Sequence, residues 1–579
     1  MKYLAFLVAT VVSLLVVRPY IPMVTMANQL LAILGWGLVM LVAPAPALQR
    51  STARAALPLL IVFAMAAAGC LASILTGGMP SPPGIGVLGI IVLAAAVTLH
   101  GVSAGANDPV GFFQPFAVAL VVGGILGAIV AILQIFAPTH LDNTIVAYAN
   151  LPGRASGNIG QSNQFADTML WGLIALVALA HKWRDVGSRM PLARVGWCAA
   201  AFLMIRGVVL TGSRTALVAM LGLATWGLAD RNLSRLPRIG LVLAPVVAGA
   251  TLLAVNAWLH AQVQGVSPYD RAGGAGLTAF RNEIWANALV LIREQPWLGV
   301  GWGQFNFAWS LTPFTTRGAG LVDNVHNLPL QLAVELGVPA ALVMMGLLVA
   351  ALWIAFRRVR RLPGEAGVDA RSTLMIVVLM GLHSMLEYPL WYAYMLLPTA
   401  WAFGLALGTA ARVEPTAGDA PLPLALGNAS PLRAWRVLGA MMMVLSVSAW
   451  IDYLNIVSLF RTPLGLMQPE DIARARSSPL FGNQADYIDL TRQRSRPELL
   501  QSIERTSRVL VNSRLLYAWS NILQSRGETD KARFLAARMR EFNLEGARDW
   551  FNVCSDPAVT VKPFQCLAPD HPVTWRDFR

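Results

Sequence analysis

The chain has 579 residues, of which 56% are hydrophobic and only 13% are charged. Soluble domains average about 45–50% apolar and 25% charged residues, so a mean hydropathy of +0.58 excludes a soluble enzyme and a disordered protein. Four cysteines are too few for a disulfide scaffold. A polytopic membrane protein remains. The net charge of +14 does not indicate nucleic acid binding, because the basic residues lie in short loops between apolar segments.

Thirteen apolar segments are candidates for membrane-spanning helices, each of which needs about 20 residues. They are 3–17, 24–43, 56–76, 85–100, 115–137, 165–181, 195–211, 214–229, 238–258, 327–356, 373–387, 391–409 and 435–455. The first has Lys2 before an apolar core, as a signal peptide does, but Arg18-Pro19-Tyr20 follows it and no small-residue cleavage site does. It is therefore predicted to be an uncleaved helix.

Basic residues predict the orientation of these segments. With a cytoplasmic N-terminus, the even-numbered loops are cytoplasmic, and they carry residues such as Arg50, Lys182 and the run Arg357 to Arg361. Only loop 101–114 lacks a basic residue. This is the positive-inside pattern, and it puts two long segments outside.

These segments divide the chain into four expected regions. Residues 1–258 hold helices 1–9, 259–326 form a large outer loop, 327–455 hold helices 10–13, and 456–579 form a helical outer domain. The tail holds 32 of the 74 charged residues, and its apolar residues recur at helical spacing. An outer location is oxidising, so Cys554 and Cys566 are able to pair. The predicted fold is an all-α polytopic membrane protein.

Ionisable residues inside membrane segments are costly and indicate function. Seven fall in the outer halves of their segments: Asp167, Arg206, Arg214, Glu335, His383, Glu387 and Asp452. A transporter places such residues near the midplane, so this placement favours a site that opens outward. For Asp167 and Asp452, pairing at the interface is an equally good explanation.

Two outer loops are rich in glycine and polar residues. The loop from Arg154 to Gln164 includes Gln161 and Asn163, whose amides donate and accept hydrogen bonds at a helix entrance. It suits a hydroxyl-rich or phosphate ligand, and a plain turn with an N-cap is the alternative. The glycines of 299–303 lack the strand–turn–helix frame of a phosphate loop and predict a flexible turn.

His326 is the strongest catalytic candidate. It lies where the large loop re-enters the membrane, beside Asn324 and Asn327, and a neutral histidine suits general-base chemistry. Arg206, Arg214 and Arg281 are candidates to hold a diphosphate, because guanidinium binds phosphate oxygens bidentately; Arg206 is included for its depth alone. The sequence has no acidic metal-binding motif, so we expect no metal and no cofactor.

Several segments together resemble the O-antigen ligase and polymerase superfamily. They are Thr211-Gly212-Ser213-Arg214-Thr215-Ala216, Arg281 with Trp285, Pro296-Trp297-Leu298-Gly299-Val300-Gly301, His326-Asn327, and Glu335-Leu336-Gly337. The loop 154–164 and the segment Glu387-Tyr388-Pro389-Leu390-Trp391-Tyr392-Ala393 resemble the PglL-type bacterial protein O-oligosaccharyltransferases. The resemblance covers roughly residues 1–455, and the helical tail resembles the extension of this branch.

The resemblance implies transfer of a preassembled glycan from undecaprenyl diphosphate to Ser or Thr hydroxyls of periplasmic proteins such as pilin. The enzyme would lie in the bacterial inner membrane with its active site facing the periplasm, and it would need no metal. Arg214 and Arg281 would bind the diphosphate, and His326 would activate the acceptor hydroxyl. Contacts to glycan or acceptor are expected from Gln161, Asn163, Asn324, Asn327, Glu387 and Tyr388, although Glu387 and Tyr388 could serve structure alone.

Other functions stay open at this point. Joining O-antigen to lipid A core, or polymerising repeat units, uses nearly the same chemistry with a sugar hydroxyl as acceptor. The Glu387–Ala393 segment and the long tail favour a protein acceptor. A lipid or sugar transporter belongs to a different class, and the absence of midplane charges and inverted repeats in the sequence argues against it.

Overall fold

The computed structural model describes residues 1–17, 22–185, 190–262, 274–317, 322–411, 430–463, 466–492, 497–542 and 545–579, and these are helical with no β-strand. Ten of the described helices are long and apolar enough to cross a membrane. Three shorter apolar helices, Lys2–Leu15, Met26–Val42 and Arg214–Ala229, lie at the other three predicted positions. The protein is therefore an all-helical, multi-pass membrane protein, and a total of thirteen spans stays a prediction.

The helices are numbered here in chain order. The first sixteen are α1 (Lys2–Leu15), α2 (Met26–Val42), α3 (Arg50–Leu75), α4 (Ser81–Asn107), α5 (Pro109–Phe136), α6 (Ser162–Lys182), α7 (Pro191–Leu210), α8 (Arg214–Ala229), α9 (Arg235–Gln262), α10 (Gly274–Glu294), α11 (Phe305–Leu311), α12 (Leu328–Leu336), α13 (Val338–Val359), α14 (Gly364–Ser384), α15 (Ala393–Ala411) and α16 (Pro431–Arg461). The tail adds α17 (Pro469–Arg476), α18 (Gly482–Arg492), α19 (Leu500–Ser507), α20 (Ser513–Ser525), α21 (Thr529–Glu541) and α22 (Glu545–Ser555).

The chain divides into two compact units. The first comprises Met1–Phe63, Val92–Gly274 and Leu347–Trp450, and the second comprises Ala64–Ile91, Ala275–Gly346 and Ile451–Arg579. The first unit packs helix on helix through small residues. On α15, Gly404 lies so close to the carbonyl oxygen of Thr98 on α4 that a Cβ atom would collide with it. In lipid, where no hydrophobic force drives helices together, such close van der Waals contact supplies the attraction.

The second unit has a hydrophobic core that combines two distant parts of the sequence. Trp309 and Val325 from the expected outer loop share a buried cluster with Trp519 and Phe542 from the tail. Asn306 joins the same two parts, because its Oδ1 accepts a hydrogen bond from the backbone of Val511 at 2.6 Å. The core therefore fixes the loop that carries His326 to the helices of the tail.

The tail also contains a disulfide between Cys554 and Cys566, whose Cα atoms lie 5.3 Å apart. Each cysteine is close to a chain turn: Cys554 is in the last turn of α22, and Cys566 ends a short 3-10 helix. The pairing suggested by the sequence is thus present in the structure.

One predicted span begins in the wrong place. The tenth was expected over 327–356, but Gly337, with φ +82°, separates the short helix α12 from the long helix α13. The apolar helix starts at Val338, so Glu335 precedes it rather than lying two turns inside it. Backbone contacts of Gly337, described below, cause the break.

Candidate active site

His326 lies on a tight turn immediately before α12. Its φ is +56°, and among the described residues other than glycine only Asn143 shares a positive φ. Such a conformation costs about 1–3 kcal/mol and persists only where the surroundings impose it. Here the surroundings are the buried Val325 and the residues that bind its backbone.

Three side chains impose this backbone conformation. The indole Nε1 of Trp285 donates to the carbonyl oxygen of Val325 at 3.0 Å, and the Oε1 of Gln331 accepts from the Val325 N–H at 2.8 Å. The Oδ1 of Asn324 accepts from the N–H of His326 itself at 2.8 Å. The peptide group between Val325 and His326 is therefore held at both its carbonyl oxygen and its N–H, and the imidazole is presented from a fixed position.

The two neighbouring asparagines have structural work in this turn. Asn324 is buried and closes the turn, while the Oδ1 of Asn327 accepts from the N–H of Leu330 at 3.0 Å and caps the N-terminus of α12. These are the local interactions that favour asparagine at turns and N-caps. Their oxygens serve the backbone, and contact of either residue with glycan stays a proposal.

Arg281 belongs to the same unit as His326. It lies on α10 one helical turn before Trp285, so the two side chains share a face of that helix. Because Trp285 binds Val325, this face of α10 is the one that meets the His326 turn. Arg281 therefore lies on the helix face that carries Trp285, and its role stays a proposal.

Two of the family-like segments are interlocked. Val300 N–H donates to the carbonyl oxygen of Val334 at 2.8 Å, Gly301 N–H to that of Glu335 at 3.0 Å, and Val338 N–H to that of Pro296 at 2.8 Å. A Cβ on Gly299 would lie 2.5 Å from the Val334 oxygen, and one on Gly337 would collide with the carbonyl of Trp297. The expectation of a flexible turn at 299–303 is wrong, because these backbone contacts pin it.

Glu335 is buried beneath this interlocked turn. Its Oε1 accepts from the backbone N–H of Phe305 at 3.3 Å. Burial raises the pKa of the Glu335 carboxyl to about 7, although the backbone N–H groups of Gly303 and Phe305 and the side chain of Gln331 lower it. Gln331 also binds Val325, so the carboxyl and the His326 turn share one supporting side chain.

The first unit gathers a second polar cluster where three connecting segments meet. The Nδ2 of Asn163 donates to the Oε1 of Glu387 at 3.0 Å, and the Nη2 of Arg154 donates to the Oδ1 of Asn163 at 3.5 Å. The Nε of Arg154 donates to the carbonyl oxygen of Thr211 at 2.9 Å. The 154–164 loop, the 211–213 turn and the Glu387 segment are thus tied together at one end of α6, α8 and α14.

Arg214 opens α8 directly after this cluster. Ser213 caps the helix by accepting from the N–H of Ala216 at 3.3 Å, and the Arg214 side chain is exposed. Unpaired N–H groups at a helix start attract anions, and an adjacent guanidinium strengthens that attraction. Arg214 therefore lies where a phosphate group can bind.

Other residues of the cluster are used in capping and stacking. Gln161 is the N-cap of α6, where its Oε1 accepts from Asn163 N–H at 2.7 Å, so the simple N-cap explanation holds for it. The Tyr388 ring stacks on Tyr392 with centroids 6.0 Å apart. Sequence reasoning named Asp167 and His383 separately by depth; the structure pairs them through the His383 Nδ1.

The last arginine, Arg206, lies in a different environment. Its guanidinium covers the ring of Phe136 at 5.1 Å and lines an apolar groove formed by α5, α7 and α9. In the part of the chain that the structure describes, no group of three or more His, Cys, Asp or Glu residues is arranged to hold a metal ion.

Comparison with known proteins identifies two family regions. Residues 199–345 match the family model described as O-antigen ligase, and residues 372–552 match the one described as virulence factor membrane-bound polymerase, C-terminal. The first region includes Arg206, Arg214, Arg281 and His326, and the second includes Glu387 and most of the tail.

Two relatives come from Acinetobacter baylyi. The chain is 27% identical over 350 residues to a general O-oligosaccharyltransferase, covering 58% of this chain and 55% of the relative. It is 26% identical over 273 residues to a ComP-specific O-oligosaccharyltransferase, covering 46% of each. The chain thus spans about half the length of the curated relatives it matches. These matches confirm the resemblance drawn from the sequence.

Proposed function

From its confirmed resemblance to the PglL-type branch of the O-antigen ligase superfamily, we propose that this protein is an O-oligosaccharyltransferase. It moves a preassembled glycan as one block from undecaprenyl diphosphate to Ser or Thr hydroxyls of periplasmic proteins such as pilin. It acts in the bacterial inner membrane, with its site facing the periplasm. The observation that carries the proposal is the imposed left-handed backbone of His326.

His326 is the general base of the proposed reaction. Its imidazole takes the proton of the acceptor hydroxyl while the hydroxyl oxygen bonds to the anomeric carbon of the glycan. The bond from that carbon to the phosphate oxygen breaks, and the diphosphate leaves with the electron pair. A base of this kind contributes about 10²–10⁴-fold to rate, and its placement on a fixed turn supports the assignment.

The arginines serve the leaving group in this proposal. The diphosphate gains negative charge as the bond breaks, so cations positioned there act mainly in the transition state. Arg281 is supported by its place on the α10 face that meets the His326 turn, and Arg214 by its exposed place at the start of α8. The reaction as proposed needs no metal.

The polar cluster around Glu387 is assigned to glycan or acceptor contacts. Gln161, Asn163, Glu387 and Tyr388 shape this surface, and Asn324 and Asn327 border the base. Amides and a carboxylate suit the hydroxyl groups of sugars and of Ser and Thr. Asn163 and Glu387 hold each other, and the side-chain oxygens of the other amides bind backbone N–H groups, which favours a surface preformed for its ligand.

Reconstitution tests the proposal. Purified protein in liposomes receives an undecaprenyl-diphosphate-linked glycan and one of two acceptors, a pilin-like protein or lipid A core, and products are read by intact mass. Glycan on the protein supports the proposal. Glycan only on lipid A core supports O-antigen ligase activity, after which the family model matched by residues 199–345 is named. Movement of the lipid-linked glycan across the bilayer without transfer would identify a transporter.

Substitution of Arg281 tests the diphosphate role. Arg281→Ala should raise the KM for the lipid-linked donor about tenfold or more while leaving the KM for the acceptor nearly unchanged. Arg293→Ala, in the exposed last turn of the same helix, is the matched control. Equal losses for donor and acceptor would remove Arg281 from the diphosphate.

A further inference from the structure

An apolar groove runs along one end of α5, α7 and α9 in the first unit. Its volume is about 640 Å³, within the range of roughly 300–1,000 Å³ that holds small ligands. Seven of the nine residues that line it are apolar, among them Phe136, Phe202, Ala250 and Ala254. Phe202 is 52% exposed, so the groove opens at the outer surface of these apolar helices, where a membrane protein meets lipid.

Arg206 is the single charged residue among those nine. Its Nε is buried and has no hydrogen-bond partner within the described residues, and its guanidinium covers the ring of Phe136. A buried guanidinium nitrogen that lacks a hydrogen bond is costly on a membrane helix. The C-terminal end of α7, one turn away at Leu210, offsets part of that cost through its partial negative charge. The remaining charge calls for an anion from outside the protein.

The other residues that line the groove indicate the chemistry of the rest of the ligand. Thr251 already donates its hydroxyl proton to the carbonyl oxygen of Val247 at 2.8 Å, so it adds no donor. Trp258, 38% exposed, lies against Phe136 with ring centroids 4.7 Å apart and ring planes tilted by 60°. Tryptophan is enriched at the headgroup level of bilayers. The groove therefore offers one cation at its head and an apolar wall below.

Charge balance separates two kinds of lipid. One guanidinium matches the single negative charge of a phosphodiester, whereas a diphosphate carries more charge than this groove neutralises. A zwitterionic headgroup brings an ammonium that needs an acidic partner, and no acidic residue is among the nine that line the groove. The observations thus favour an anionic glycerophospholipid.

We propose that this groove is a binding site for an anionic glycerophospholipid of the phosphatidylglycerol type. Arg206 binds the phosphodiester, Phe136 and Trp258 flank the headgroup, and one acyl chain lies along Ala250 and Ala254. The site is separate from the proposed transfer reaction, and Arg206 serves it instead of the diphosphate.

Native mass spectrometry of the full chain in detergent tests the proposal, with dioleoylphosphatidylglycerol or dioleoylphosphatidylcholine as the added lipid. The wild type should retain one phosphatidylglycerol, and Arg206→Gln should weaken that retention about tenfold or more. Ala254→Phe should weaken it without a change of charge, by filling the groove. Arg194→Gln, exposed at the other end of α7, is the matched control and should bind as the wild type does.

Each alternative has its own signature. Equal retention of both lipids, or retention unaffected by Arg206→Gln and Ala254→Phe in variants with wild-type melting temperatures, overturns the proposal. Displacement of phosphatidylglycerol by undecaprenyl diphosphate, dependent on Arg206, would assign the groove to the polyprenyl lipid and also overturn it. Displacement by inorganic phosphate alone would reduce the site to an anion site without a chain.

Discussion

The His326 turn and the Glu387 cluster are built from similar polar side chains that are used in opposite ways. In the cluster, Asn163 and Glu387 bind each other and tie three connecting segments together. At the turn, Asn324 binds the N–H and Trp285 the carbonyl oxygen of the peptide group that joins Val325 to His326, and His326 is held at positive φ. A cluster whose side chains pair with one another forms a preassembled surface, whereas a strained backbone held by its neighbours indicates a side chain that is positioned to act.

The largest expected effect follows from removing the base. His326→Ala should lower glycan transfer about 10²–10⁴-fold, because the acceptor hydroxyl loses its proton acceptor. The measurement is the initial rate in the reconstituted assay, with the melting temperature as a check on folding. His140→Ala, exposed in the α5–α6 loop, is the control. Transfer at the wild-type rate in a folded His326→Ala protein would contradict the assignment of His326 as the general base.

Glu335 should make the stability of the second unit depend on pH. Its folded pKa of about 7 exceeds the ordinary value of 4.5, so the folded state holds the proton more tightly than the unfolded state does. The free energy of unfolding therefore falls as pH rises from about 4.5 to 7, by roughly 3 kcal/mol in total. Glu335→Gln should remove this fall.

Melting temperatures of wild type and Glu335→Gln at pH 5 and pH 8 measure this pH-dependent loss of stability. The difference between the two proteins should grow in favour of the variant at pH 8. Glu504, exposed on α19 of the same unit, supplies the control variant Glu504→Gln, which should follow the wild type. Parallel curves for wild type and Glu335→Gln would mean that the carboxyl is already ionised when buried.

Loosening the turn should have a smaller effect. Trp285→Phe removes the 3.0 Å hydrogen bond to Val325 but keeps an aromatic ring, and should lower kcat about tenfold, the value of one such bond. The donor KM should change little. Trp353→Phe, 57% exposed on α13, is the control. An unchanged kcat would show that the backbone of His326 is positioned without Trp285.

Glu387→Gln should have the mildest effect of the four substitutions. The amide oxygen still accepts from Asn163, so we expect transfer within about threefold of wild type and a stability loss near 0.6 kcal/mol. Transfer rate and melting temperature measure the two. A hundredfold loss of transfer at an unchanged melting temperature would place Glu387 in the chemical step rather than in the glycan- or acceptor-contacting surface.

A chelator should change nothing. Asp167, His383 and Glu387 lie in the same cluster, yet they form no metal-binding group within the described residues. The proposed reaction uses an imidazole and arginines, so transfer measured with and without EDTA should agree. Activity that is lost with EDTA and restored by magnesium, manganese or zinc would place a metal in the reaction.

Much of this architecture could be predicted from local sequence. The apolar segments coincide with the ten long helices and three short ones because hydropathy over about 20 residues is a local property. His326, Asn324 and Asn327 were adjacent in the chain, so their grouping needed no fold. The positions of ionisable residues within the predicted spans also indicated Asp167 and His383, but they did not predict that the two residues pair.

Long-range contacts explain what could not be predicted. The break at Gly337 depends on Trp297, forty residues earlier, and the core beneath His326 depends on Trp519 and Phe542 in the tail. Depth grouped Arg206 with the other arginines, but only the positions of Phe136 and Trp258 reveal its groove. The hydrophobic periodicity of the sequence does not indicate which distant residues will be in contact.

Gly299 packs against the Val334 carbonyl, and Gly337 packs against the Trp297 carbonyl. These two stretches of sequence therefore form a single structural unit. Neither glycine has room for a side chain, so the sequence of one stretch cannot change independently of the other during evolution. Chimeras that exchange residues 296–303 together with 334–338 between relatives should insert and fold, whereas exchange of one stretch alone should yield protein that is degraded.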